Sequence, residues 1–227
     1  VQDADINRKE LFITTKLWNR HQGYDEAIEA CEKSLARLGC DYIDLYLIHW
    51  PLKGKRNDSW RALIELQKKG LCRSIGVSNF TIDNLKELED KFEVIPAANQ
   101  VEFHPLLDQS RLLSFANSIN LNLSSYCSVV RGKILEFEEL NSLATKYNCT
   151  TPQIALRWAL QKGVAINTMS SKYENIKSNF NILHIDISSE DMEIIDKLSI
   201  KTNYRLVTKE LFIEEKNPMI GCVPEWD

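Results

Sequence analysis

The chain has 227 residues, 44% hydrophobic and 26% charged, which suits one globular domain with a sizeable core. A formal charge of −4 and a pI near 5.7 argue against a nucleic-acid grip, which needs a basic face. No apolar run reaches the ~18 residues of a membrane span, and no stretch reads as a signal peptide.

The elements alternate along the chain. Residues 11–15 are an apolar β-rich run ending on Lys16. Residues 25–38 carry Ala27, Ile28, Cys31, Leu35 and Leu38 at helical spacing, with Gly39 as the stop. Residues 43–48 form a strand that delivers His49, then Trp50, and Pro51 cannot extend the ladder. A helix over Trp60, Leu63, Ile64 and Leu66 halts at Gly70. Residues 72–77 are a third strand, ending on Ser78 and Asn79. Thr81 caps a helix over 82–91. Residues 97–101 are a fourth strand containing Asn99 and Gln100, with Glu102 just beyond. A helix from Asp108 passes Phe115 and Ile119. Residues 121–125 are a fifth strand ending on Tyr126. Helical pattern fills 134–147 and again 152–161, where Pro152 suits a first turn. Residues 164–166 are a short sixth strand, and 172–180 a helix. Ser188 caps a last helix with Met192, Ile195 and Leu198 inward. An irregular tail follows from residue 200.

Alternating βα units with near-continuous apolar strands predict a parallel α/β sheet. No Gly-rich phosphate loop follows any strand, so a (β/α) barrel is the better reading than a dinucleotide-binding open sheet. Six strands are counted rather than eight. Residues 1–199 would be a partial barrel and 200–227 a tail or loop. Lys16, His49, Ser78, Asn79, Gln100, Glu102 and Tyr126 all sit at strand ends, the edge where α/β proteins gather ligands. Cys31, Cys40, Cys72, Cys127, Cys149 and Cys222 include no C-x-x-C pair and no zinc spacing. They read as free thiols of a reducing, cytoplasmic setting.

Four segments carry a resemblance. They are Leu-Phe-Ile-Thr-Thr-Lys-Leu-Trp (11–18), Asp-Tyr-Ile-Asp-Leu-Tyr-Leu-Ile-His-Trp-Pro (41–51), Gly-Leu-Cys-Arg-Ser-Ile-Gly-Val-Ser-Asn-Phe (70–80) and Asn-Gln-Val-Glu-Phe-His-Pro (99–105). In order and spacing they resemble the aldo-keto reductase family over nearly the whole chain. The resemblance implies a (β/α)8 TIM barrel with NADPH lying across the strand ends, and reduction of an aldehyde or ketone to an alcohol by hydride transfer. It implies that Lys16 is the lysine that lowers the pKa of a proton-donating tyrosine, and that His49 orients the substrate carbonyl. Ser78, Asn79 and Gln100 would hold the nicotinamide carboxamide, and Tyr126 would stack on its ring. Ser170 and Asn179 would remain as polar cofactor contacts. Trp18 and Trp50 would wall a pocket for a small-molecule carbonyl compound.

The chain departs from the family in two places. The family's tyrosine, and the aspartate paired with its lysine, lie in an Asp-Thr-Ala-x-x-Tyr-x-Asn-Glu segment before the strand of Lys16. That segment is not in this sequence. At about 30 residues per barrel unit, two βα units are expected to be missing. The family's Ile-Pro-Lys-Ser reads Asn167-Thr168-Met169-Ser170, which removes the lysine that pairs with the 2′-phosphate. Asn175 stands for an arginine and Ser178 for a glutamate. The loop over the pyrophosphate reads Tyr126-Cys127-Ser128-Val129-Val130. Two readings stay open. One is a reductase whose catalytic Tyr and Asp lie outside these residues. The other is a non-catalytic reductase-like subunit whose open strand edges are covered by a protein partner. The tail over 210–227, with Trp226, resembles the place where the family carries a specificity loop.

Overall fold

The computed structural model describes residues 6–208. Its strands are β1 (Thr14–Leu17), β2 (Ile43–Ile48), β3 (Cys72–Ser78), β4 (Ala98–Glu102), β5 (Asn122–Tyr126) and β6 (Ala165–Ile166). They form one six-stranded sheet whose spatial order follows the sequence. Lys16 registers with Leu47, Leu47 with Gly76, and Ser125 with Ile166, all in parallel ladders. Consecutive parallel strands need crossover connections, and helices supply them here. The result is the α/β arrangement of a (β/α) barrel. Among the described residues no helix is long and apolar enough to cross a membrane.

The chain divides into two compact units, one running up to Asn99 and one from Gln100 to Thr208. In the first unit, α1 (Tyr24–Leu38) ends as expected on Gly39, whose φ of 63° closes the helix in the left-handed region. Its Ala27 and Cys31 pack into a core with Leu17, Ile48 and Val77, all 0% exposed. The next helix, α2 (Arg56–Lys68), buries Trp60, Leu63 and Leu66. Thr81 and Asn84 form a reciprocal capping box at the start of α3 (Ile82–Lys91). A Cβ on Gly76 would lie 2.6 Å from the Ala98 carbonyl oxygen and 2.8 Å from Leu47 Cδ2, so only glycine lets β3 pass there.

Two carboxylates tie this unit together. Asp44 accepts from Arg8 Nη2 (2.7 Å), from the Ile13 N–H (2.9 Å) and from Arg73 Nη1 (3.2 Å). Both guanidinium groups also lie 4.0 Å from the centroid of the Tyr42 ring. Glu87 of α3 accepts from Arg56 Nε (2.8 Å) and Asn57 Nδ2 (2.8 Å) of α2, and from Lys91 Nζ (2.5 Å). Led by the Lys91 and Asn57 bonds, these partners hold the Glu87 carboxyl down at about 2.

In the second unit the helices are α4 (Ser110–Ser118), α5 (Glu138–Lys146), α6 (Thr151–Gln161), α7 (Tyr173–Phe180) and α8 (Ser189–Thr202). A Thr150–Gln153 capping box and Pro152 in the first turn start α6. Phe103 stacks on Trp158 of α6, centroids 5.0 Å apart, and Trp158 Nε1 donates to Asp196 of α8 at 2.8 Å.

Two expectations shift. The helix over 134–147 is broken: a 3-10 stretch covers Val130–Glu136, and Phe137 is extended (φ −104°, ψ 115°). Glu138 and Glu139 favour a new helix start there, because acidic side chains suit a helix N-terminus. The final helix runs past residue 199 to Thr202, so the tail begins after it; residues 209–227, with Cys222 and Trp226, lie outside the described residues.

Gly76→Ala is expected to cost about 1–3 kcal/mol of stability, read as a lower urea midpoint. For Glu87 the folded-state value of about 2 lies below the ordinary 4.5. Its stabilisation is therefore full above pH 4.5 and lost as pH falls toward 2. Glu87→Gln should cost about 1–3 kcal/mol at pH 7, with the gap to wild type closing in acid.

Candidate active site

The ends of β1 and β2 bring Lys16 and His49 together. The His49 N–H donates to the Leu17 carbonyl at 3.1 Å, which continues the ladder one residue past β2. The Trp18 ring meets the imidazole edge-on at 4.7 Å, and Trp50 stacks parallel to it at 6.1 Å. Burial pushes His49 down to about 3, and the Lys16 charge pushes the same way. Burial pushes Lys16 down to about 8. At neutral pH the pair is a neutral imidazole facing an ammonium. Such an imidazole can donate or accept a hydrogen bond but not serve as a strong acid.

Ser78 and Asn79 end β3 beside this pair. Asn79 has φ +63°, a conformation that asparagine tolerates better than most residues. Its Nδ2 donates to the His49 carbonyl (3.0 Å) and to Ser78 Oγ (3.1 Å). Asn99 Nδ2 donates to the Phe80 carbonyl at 2.9 Å and fixes the chain after that turn. Trp50 is only 4% exposed, and its carbonyl accepts from Gln22 Nε2 at 2.7 Å. It therefore offers less surface to a substrate than a pocket wall would; Trp18 is half-buried.

A cavity of about 350 Å³ opens beside β1 and α1, lined by Lys16, Trp18, Arg20, Lys33, Arg37 and Tyr46 among others. The Tyr46 hydroxyl is buried beside Ser34, and burial pushes its pKa well above the usual phenol range. Neither this cavity's basic lining nor the Tyr46 phenol was visible in the sequence. The lining cations are spread over β1, α1 and the turn between them, with no motif spacing.

In the second unit, Gln100 Nε2 donates to Ser124 Oγ at 3.4 Å. The Tyr126 carbonyl accepts from the Phe103 N–H at 3.4 Å. Burial and then the Glu102 charge push the Tyr126 phenol up, and Arg205 opposes them. Ser170 Oγ is used locally, accepting from the Lys172 N–H at 3.1 Å. Asn179 is half-buried on α7, a helix that exposes Tyr173 and Phe180. Met169 is 98% exposed and brings an uncharged side chain to the position of the family's phosphate-binding lysine. In the loop after β5, Cys127, Val130 and Arg131 have φ of 56°, 48° and 50°. A β-branched valine there is strained. Among the described residues no cluster of side chains could hold a metal ion.

Comparison with known proteins decides the family. The Aldo/keto reductase family profile matches residues 2–200. The chain belongs to the aldo/keto reductase family. It is 45% identical to the glyoxal reductase of Bacillus subtilis strain 168 over 199 residues, 88% of this chain and 72% of that protein. It is similar to an aldo-keto reductase from a Medee basin deep-sea metagenome library, with a TM-score of 0.87, 36% identity and coverage of 91% and 77% of the two chains. It is also similar to the Bombyx mori aldo-keto reductase solved in complex with NADP, with a TM-score of 0.83, 30% identity and coverage of 92% and 74%. The family reduces carbonyl compounds with NADPH.

Lys16 generates a prediction with a defined sign. Its folded-state value of about 8 lies below the ordinary 10.5, so the unfolded chain binds more protons between the two. Wild-type stability should gain from this group as pH rises from 8 to 10.5. Lys16→Met is expected to be more stable than wild type at pH 7, by about 1–3 kcal/mol after solvent screening. Urea midpoints across that range should converge; a gap that widens with pH would contradict the assignment.

Proposed function

We propose that this chain forms the main part of an NADPH-linked carbonyl reductase acting on a small aldehyde or ketone in the cytoplasm. The reading is carried by Lys16 and His49, held together at the ends of adjacent strands with His49 kept neutral. Free thiols at Cys31, Cys40, Cys72, Cys127 and Cys149 fit a reducing compartment.

The nicotinamide end of a cofactor fits the residues present. The Asn79 amide and the Ser78 hydroxyl of the first unit offer donors and acceptors to a carboxamide; Gln100 and Tyr126 of the second unit are given their part by the resemblance to the family alone. NADPH, when bound, supplies the hydride. His49, as a neutral hydrogen-bond donor, orients the carbonyl oxygen of the substrate. Lys16 places positive charge where the oxygen gains negative charge. Trp18 supplies apolar wall, with a smaller part from Trp50. Ser170 and Asn179 are polar contacts for the rest of the cofactor.

The phosphate end fits less well. Met169 and Asn175 bring no cation, and each lost charge-assisted contact is worth about 1.5–3 kcal/mol. Losing two weakens binding by roughly two to four decades. That observation favours a second reading, a non-catalytic subunit whose partner covers the outer edges of β1 and β6. No proton donor is assigned among the described residues.

The test is NADPH oxidation with a simple aldehyde by the complete polypeptide carrying this chain. Activity is expected, with Lys16→Met reducing it at least about 100-fold. NADPH should quench tryptophan fluorescence at micromolar concentration. Neither turnover nor quenching would reject the reductase reading in favour of the second.

A further inference from the structure

The 99–105 segment contains two titratable groups that carbonyl reduction leaves unused. Glu102 and His104 are both 0% exposed. A buried carboxylate persists only if donors meet its charge. Three do so here. Oε1 accepts from His104 Nε2 at 2.8 Å and from the Leu206 N–H at 2.5 Å, and Oε2 accepts from the Val207 N–H at 2.9 Å. The other imidazole nitrogen, Nδ1, accepts from the Leu106 N–H at 3.3 Å. That bond assigns the ring proton to Nε2, so His104 is the donor to Glu102. Around the pair, the Leu106 carbonyl accepts from the Tyr204 N–H at 2.6 Å, and the Glu102 carbonyl accepts from Gln109 Nε2 at 3.0 Å.

Residues 204–207 are thus strapped to the end of β4 through their backbone. Arg205 sits inside the strap, immediately before the two amides that Glu102 receives. Its charge reaches the Tyr126 phenol, as does that of Glu102.

We infer that Glu102 is a positioning residue: its carboxylate seats the backbone of residues 206 and 207 and thereby fixes the strap that carries Arg205 to the end of β4. A backbone-directed anchor of this kind tolerates any side chain on the strap except proline, because it reads only N–H groups. Arg205 is then carried on a fixed segment of backbone. What the strap serves rests on the proposed function. That the strap is held by Glu102 rests on its hydrogen bonds alone.

The test uses the whole chain without cofactor. In Glu102→Gln, hydrogen exchange at the Leu206 and Val207 amides should quicken about 10- to 100-fold, the range for losing charge-assisted bonds. Tryptic cleavage of the Arg205–Leu206 bond should quicken with it. Exchange in β5 and α6 should not change. Glu102→Asp, which keeps the charge, should restore part of the protection. Val207→Pro removes one donor from the strap and leaves the buried pair intact, so it reports even if Glu102→Gln does not fold. It too should quicken exchange at Leu206. The inference is overturned if both amides exchange as in wild type, or if the acceleration spreads evenly through β5 and α6. Failure to bind NADPH would reject the proposed function and leave the strap untouched.

Discussion

The site depends on taking an ammonium and an imidazole out of water at the same strand edge. Both groups resist charge when desolvated, and the histidine resists more because the lysine faces it. The outcome is a division of labour. Lys16 keeps its proton at neutral pH, and His49 stays neutral. A polar but uncharged ring beside a fixed positive charge is a sound arrangement for holding a carbonyl oxygen. The two tryptophans that flank the imidazole maintain the low dielectric on which this depends.

The same logic separates the two ends of the cofactor reading. Amides, a hydroxyl and an aromatic ring can recognise a nicotinamide without net charge. A phosphate needs cations, and the positions that would supply them carry Met169 and Asn175. The strained loop over Cys127, Val130 and Arg131 is a second difference, where the resemblance to the family would put the pyrophosphate.

Much of this was legible in the sequence where the cause is local. Gly39 ends α1, Thr81 starts α3, Pro152 sits in the first turn of α6, and the apolar run to Ile48 delivers His49, because each of these acts within one or two turns of chain. The break at Phe137 was not legible: the apolar spacing over 134–147 stays helical while the backbone does not. The depth of Trp50, 4% exposed, was not legible either, because burial depends on what packs over it. Least legible was the Glu102 strap, whose partners lie 104 and 105 residues away in the chain. A glutamate at a strand end carries no mark of which distant amide it will receive.

Asp44 has an implication for handling the protein. One carboxylate joins Arg8, near the start of the described chain, to Arg73 on the third strand, with Tyr42 between the two guanidinium groups. Trimming by a contaminating protease ahead of Leu11 would strip away one of these cations and leave a shielded anion half-compensated. Damage ahead of the first described strand would thus register deep in the sheet.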